Sequence, residues 1–132
     1  MKKIVIDTNV IVSAILSPKG IPARIIDLVS VDENLQLYYS ESILAEYERV
    51  FVYKRLNIPI TARYNIITTI QLFGILVEPT VSTLYLPDES DRIFYDATIA
   101  SGAYLITGNI KHFPSEPFIM TPSIFIKKLY DN

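Results

Sequence analysis

The chain has 132 residues, half of them apolar or aromatic, a formal net charge of −2 and no cysteine. That length supports one well-filled core and not two, so a single domain over residues 1–132 is expected. The composition excludes disulfide frameworks, thiolate metal sites and cysteine nucleophiles, and the charge excludes a broadly basic nucleic-acid-binding surface. Acids gathered around a cation would lower the formal charge without making the remaining surface acidic, so a local nucleic-acid site stays open.

In chain order, Met1-Lys2-Lys3 precedes an apolar run, but Asp7 and Asn9 interrupt it before a signal-peptide core is complete. No later stretch approaches membrane-spanning length, and a soluble cytoplasmic protein is expected. Lys3 to Ile6 reads as a buried strand whose carboxyl end meets Asp7-Thr8-Asn9. Pro18-Lys19-Gly20 marks a turn, and Pro22 to Val29 places Ala23, Ile25, Ile26 and Val29 at helical spacing. Leu35 to Tyr39 reads as a second strand. Ser40 or Ser42 can cap the next helix, whose apolar stripe is Ile43, Leu44, Tyr47, Val50 and Phe51.

Pro59-Ile60-Thr61 begins a helix through Ile66, Ile67, Ile70 and Phe73, with Gly74 as its stop and a third strand at Ile75 to Val77. A looser extended stretch ends at Pro87. Asp88-Glu89-Ser90-Asp91 then resembles a helix entrance, with negative charge where the helix dipole favours it. The helix runs from Asp91 to Ala100 and ends at Gly102. Tyr104 to Thr107 and Phe118 to Met120 give two more strands, and Ser123 to Leu129 a terminal helix. Apolar strands alternating with helices predict an α/β domain with a largely parallel sheet covered on both faces. In such sheets ligands bind beyond the carboxyl ends of the strands, so Asp7 and the Thr107-Gly108-Asn109 turn are expected on one rim.

Several polar residues carry two readings. Asp7 is either a turn or capping residue or a site ligand. Glu46 lies on the flank of the apolar stripe beside Ile43 and Val50, as a boundary residue or as an inward-reaching acid, whereas Arg49 points away from the stripe. Asp96 sits between Ile99 and Ala100 on a helix apolar almost all round, so it is expected to be buried and therefore paired, neutralised or bound to a cation; no basic partner is evident on its side. Asp91, about 140° away on the helical wheel, is a dipole or capping residue or a second acid at the helix entrance. Asp88 and Glu89 read as exposed entrance residues. Asn109 is a left-handed turn residue or a neutral ligand. His112, the chain's single histidine, has no second histidine at ligand spacing and is a weak zinc signal.

Dispersed carboxylates with an asparagine form an oxygen-rich set suited to magnesium or manganese, the cations that assist phosphodiester cleavage without a covalent nucleophile. The order Ile4-Val5-Ile6-Asp7-Thr8-Asn9-Val10, Ser42-Ile43-Leu44-Ala45-Glu46-Tyr47, Asp91 through Asp96, and Leu105-Ile106-Thr107-Gly108-Asn109-Ile110-Lys111-His112-Phe113-Pro114 resembles the PIN-domain nucleases. It is similar in particular to the toxin-like branch associated with prokaryotic toxin-antitoxin systems. The resemblance spans nearly the whole chain and implies a three-layer α/β/α fold. It also implies an endoribonuclease that cleaves single-stranded RNA with Mg2+ or Mn2+, a homodimer, and an antitoxin partner. By position, Asp7, Glu46 and Asp91 take the first three acidic places, with Asp96 as an additional acid. Asn9, Thr107 and Asn109 take supporting roles, and Asn109 stands where many relatives have aspartate.

Tyr53, Lys54, Arg55, Lys111 and His112 are candidates for holding RNA, or ordinary solvated surface. Two rivals differ in chemistry. One is a catalytically silent PIN-like module that binds RNA or protein. The other is a haloacid dehalogenase-type phosphatase, which calls for a second aspartate where this chain has Asn9.

Overall fold

A computed structural model describes residues 1–131; Asn132, the last residue of the expected domain, lies outside the described residues. The first strand, β1 (Lys2–Ile6), carries the β-branched run Ile4-Val5-Ile6. Successive strand residues point to opposite faces, and all three of these are fully buried, which requires cover above and below the sheet. The sheet contains β1, β2 (Leu35–Tyr39), β3 (Ile75–Leu76), β4 (Tyr104–Ile106) and β5 (Ile119–Met120) in the order β3-β2-β1-β4-β5. Every pairing is parallel. Expectation and structure agree on an α/β domain with a parallel sheet between helical layers.

Among the described residues the connections supply six α-helices: α1 (Thr8–Leu16), α2 (Ile21–Val31), α3 (Glu41–Phe51), α4 (Ile60–Phe73), α5 (Arg92–Ser101) and α6 (Pro122–Tyr130). None of them is long and apolar enough to cross a membrane. α5 lies against β1, β2 and β4, while α2 contacts α1, β2 and α6. Ser40, not Ser42, caps α3, its hydroxyl accepting from the Ile43 amide. Gly102 closes α5 at φ +69°, a left-handed conformation that costs a residue without Cβ little.

α1 is absent from the sequence-based prediction. Its opening Thr8-Asn9 reads as a turn, and Val10, Ile11, Val12 and Ser13 are indifferent helix formers, so local propensity gives little sign of it. Tertiary packing decides instead: Val10, Ile11 and Ala14 are buried where α1 meets α2 and α3. Three short 3-10 turns, Lys54–Leu56, Glu89–Asp91 and Ile110–His112, also lay below the resolution of the periodicity.

The chain turns back at β1, with β2 on one side and β4 on the other. In a parallel sheet such a reversal opens a crevice at the strands' carboxyl ends. The register pairs Ile6 with Ile106, and the Asp7 amide donates to the Ile106 carbonyl at 2.9 Å. Asp7 and Thr107 are thereby brought side by side across 100 residues of sequence.

Candidate active site

Asp7 is 4 % exposed and is held from three directions. Its Oδ1 accepts from the Thr8 amide at 2.7 Å, making it the N-cap of α1. Its Oδ2 accepts from Thr107 Oγ1 at 2.8 Å and from Asn9 Nδ2 at 3.2 Å. The capping reading of Asp7 holds, and the same carboxylate faces a cleft. Asn9 also accepts from the Gly108 amide at 3.0 Å. A Cβ on Gly108 would lie 3.1 Å from Asn9 Oδ1, so a glycine gives this approach room. Thr107 in turn accepts from the Asn109 amide at 3.0 Å. Asn109 has φ −121°, so its left-handed reading is corrected: the turn after β4 is set by the Thr107 hydroxyl and needs no positive φ.

A cleft of about 470 Å³ opens over these groups, lined among others by Asp7, Thr8, Asn9, Glu46, Asp88, Asp91 and Asn109. Asp91 enters at the head of α5, its side chain only 13 % exposed, with Oδ2 at 3.1 Å from His112 Nδ1. One donor atom each from Asp88, Asp91 and His112 lies within 4.8 Å of the others. Asp88, read from sequence as a solvated entrance residue, belongs to this cluster; the 3-10 turn Glu89–Asp91 folds it back, with the Asp91 amide donating to the Asp88 carbonyl at 3.1 Å. Its Oδ1 also accepts from the Ser90 amide and hydroxyl, which lowers its pKa.

The electrostatics of the two buried acids run the other way. Burial raises the Asp7 carboxyl above the ordinary aspartate value, against the bonds from Thr107, Thr8 and Asn9 that lower it. Burial, then the charges of Asp7 and Asp88, push the Asp91 carboxyl up to about 6, although His112 pulls it down. The Asp7 shift comes from burial alone, whereas the added push of Asp7 and Asp88 on Asp91 marks negative charge gathered around that carboxyl. Thr8 Oγ1, on the same wall, is buried with no hydrogen-bond partner among the described residues. Clustered carboxylates short of a counter-charge, with a spare hydroxyl beside them, suit a hard divalent cation and its water.

Glu46 reaches the cleft from α3, and its flank position is now clear. It is paired with Arg49, which is exposed and off the apolar stripe as expected and donates along the helix to Glu46 and to the Tyr53 hydroxyl. The guanidinium groups of Arg49 and Arg55 lie 5.5 and 5.4 Å from the Tyr53 ring centre. Tyr53, Arg49 and Arg55 form the basic side of the cleft, whereas Lys54 and Lys111 are exposed and do not line it. Beneath, the buried Tyr47 hydroxyl donates to the Ile6 carbonyl; burial, with the Asp7 charge, raises it well above the usual tyrosine value and keeps it a donor.

Asp96 is corrected. It is buried as expected, 6 % exposed, but it does not line the cleft. Both of its carboxylate oxygens accept from the Ser82 amide, at 3.3 and 3.2 Å. Arg92, one turn earlier on α5, donates to the Ser82 carbonyl at 3.0 Å, the Ser82 hydroxyl at 2.8 Å and the Leu84 carbonyl at 2.7 Å. The two side chains clamp the irregular strap between β3 and α5. Its burial comes from that strap, since its wheel neighbour Ile99 is 55 % exposed. The spacing Arg92-x-x-x-Asp96 was the available signal.

Residues 3–111 match the family described as the PIN domain. The chain belongs to the PIN-domain family. PIN domains are generally nucleases, and the acid cluster sits where two strand ends of this PIN domain meet. The chain is 34 % identical over 115 residues, 81 % of its own length and 70 % of the other's, to the uncharacterized protein MJ1680 of Methanocaldococcus jannaschii. Two crystal structures share the fold at low identity. VapBC2 from Rickettsia felis, solved bound to a DNA fragment from the promoter, superposes with a TM-score of 0.60 at 18 % identity, covering 90 % of this chain and 96 % of that one. PAE2754 from Pyrobaculum aerophilum gives 0.61 at 15 % identity, covering 99 % and 91 %.

Proposed function

We propose that this PIN domain is a divalent-metal-dependent endoribonuclease that cleaves single-stranded RNA. The observation that carries the reading is the convergence of Asp7 and Asp91 in one cleft, each carboxyl raised by burial and Asp91 further by its acidic neighbours. Asp7, Asp91 and Glu46, with Asp88 beside them, would hold Mg2+ or Mn2+. When bound, the cation supplies Lewis acidity toward a phosphodiester and lowers the pKa of its water.

The protein's own part is orientation and charge. Asp7 is fixed by Thr107, Asn9 and Thr8, so little reorganisation accompanies use of its remaining lone pairs. Arg49, Arg55 and Tyr53 offer phosphate contacts and a stacking face at the cleft rim. Asn109, which also lines the cleft, can orient water or a phosphate oxygen. Asn9 spends both ends of its amide on Asp7 and Gly108, and as an amide it cannot serve the acid role that a dehalogenase-type phosphatase needs.

The reading extends to a cytoplasmic homodimer that acts as the toxin of a toxin-antitoxin pair, supported by the family resemblance and by the shared fold with VapBC2. Light scattering and co-purification with the product of an adjacent gene test those two points. The central test is cleavage of tRNA, rRNA and mRNA fragments with Mn2+ or Mg2+. Asp7→Asn should lower cleavage by at least about 100-fold while circular dichroism stays unchanged. Undiminished cleavage in that variant overturns the assignment, and a wild-type chain that binds RNA but no divalent ion would point to the silent module.

A further inference from the structure

His112 lies inside the acid cluster, with Asp88 and Asp91. Its Nδ1 is 3.1 Å from Asp91 Oδ2. Neighbouring donors around an octahedral cation with bonds of about 2.1 Å stand about 3.0 Å apart, and opposite donors about 4.2 Å apart. The Asp91–His112 separation matches the first spacing. One donor atom of Asp88 lies within 4.8 Å of both, so the three groups share one small space.

The backbone holds these donors from both sides. The Asp91 amide donates to the Asp88 carbonyl at 3.1 Å, and the His112 amide to the Asn109 carbonyl at 3.0 Å, closing two separate 3-10 turns that face each other. The His112 side chain is 45 % exposed, so its ring can meet the cluster with one edge and water with the rest.

We propose that His112 Nδ1 is a direct ligand of the cation held by Asp91 and Asp88, making the site a mixed carboxylate–imidazole set that prefers Mn2+ and later first-row ions to Mg2+. The inference rests on the metal-dependent reading above. Carboxylate and water suit Mg2+ and Mn2+ alike, whereas an imidazole nitrogen is a softer donor that adds little for Mg2+. One nitrogen in place of an oxygen therefore moves selectivity in a stated direction. The competing role is a hydrogen bond from Nδ1–H to Asp91, which would orient the carboxylate without touching the ion.

The two roles separate by spectroscopy on the full chain loaded with Mn2+ alone. Direct ligation gives a 14N coupling from the imidazole in pulsed electron paramagnetic resonance, and His112→Gln removes it. Calorimetry should then show Mn2+ binding weakened by about tenfold or more in His112→Gln and Mg2+ binding by less than about threefold. His112→Asp, which restores an oxygen donor, should keep binding but narrow the Mn2+-over-Mg2+ ratio. Bound Mn2+ without nitrogen coupling, or equal weakening of both ions, overturns the ligand assignment and leaves the metal-dependent reading intact. A wild-type chain that binds neither ion overturns both.

Discussion

Asp91 and Asp96 stand five positions apart at the head and in the body of α5, and both are withdrawn from water. Their surroundings differ completely. Asp96 receives the Ser82 amide on both oxygens and lies one turn from Arg92, which holds the same residue from the other side. Asp91 meets the charges of Asp7 and Asp88, with only His112 against it, and its carboxyl is pushed up to about 6. One acid is provided for by its own chain and the other is short of a counter-charge. Burial alone does not mark a functional carboxylate; the balance of charge and donors around it does.

The strongest way to break that contrast is substitution of each acid by its amide. Asp91→Asn should cost at least about 100-fold in Mn2+-dependent cleavage, while Asp96→Asn should stay within about tenfold of wild type. Equal losses would remove the distinction.

Stability against pH gives a sharper test on the metal-free chain. The folded-state value of Asp91, about 6, is raised above the 3.8 of an unperturbed aspartate. Folding therefore favours the protonated form, and the associated stability is fully present below about pH 4 and is lost as pH rises through about 6. Urea midpoints should fall across that window, and Asp91→Asn should flatten the fall and raise the midpoint at pH 7.5. Divalent ions should stabilise the wild type more as pH rises through the same window, and should do so far less in Asp91→Asn.

Asp96 should behave in the opposite way. Asp96→Asn leaves an amide donor facing the Ser82 N–H, so a loss of about 1–3 kcal/mol is expected at pH 7.5, read by chemical denaturation. Amide exchange at Ser82 should quicken with it. Arg92→Met should produce the same faster exchange through loss of the bonds to Ser82 and Leu84. An Asp96→Asn chain as stable as wild type would show that the clamp contributes nothing.

The smallest effect belongs to the cleft rim. Arg55→Ala should leave stability within about 0.5 kcal/mol and weaken single-stranded RNA binding only a few-fold, with a shallower dependence on salt. Fluorescence anisotropy at two salt concentrations checks it.

Much of this molecule was legible along the chain. The run Ile4-Val5-Ile6, the stripe from Ile43 to Phe51 and the stop at Gly102 each follow from side-chain period or backbone permission, which are properties of neighbours in sequence. So did the α/β class and the placement of Asp7 and Thr107 on one rim, because alternating strands and helices restrict where strand ends can lie. α1 was not legible, since its residues carry weak helix propensity and the helix is selected by what it packs against.

The roles of the acids divide along the same line. Sequence by itself determined that Asp7 ends a buried strand, that Asp91 opens a helix and that Asp96 must be withdrawn from water. Only the tertiary structure decided that Asp88 and His112 join Asp91 while Asp96 turns to Ser82 and Arg92. The reason is physical: these encounters depend on β1 pairing with β4 and on the path of the strap over α5. Local periodicity places a side chain on a face of its own element, and says nothing of which distant charge or donor will be brought against it.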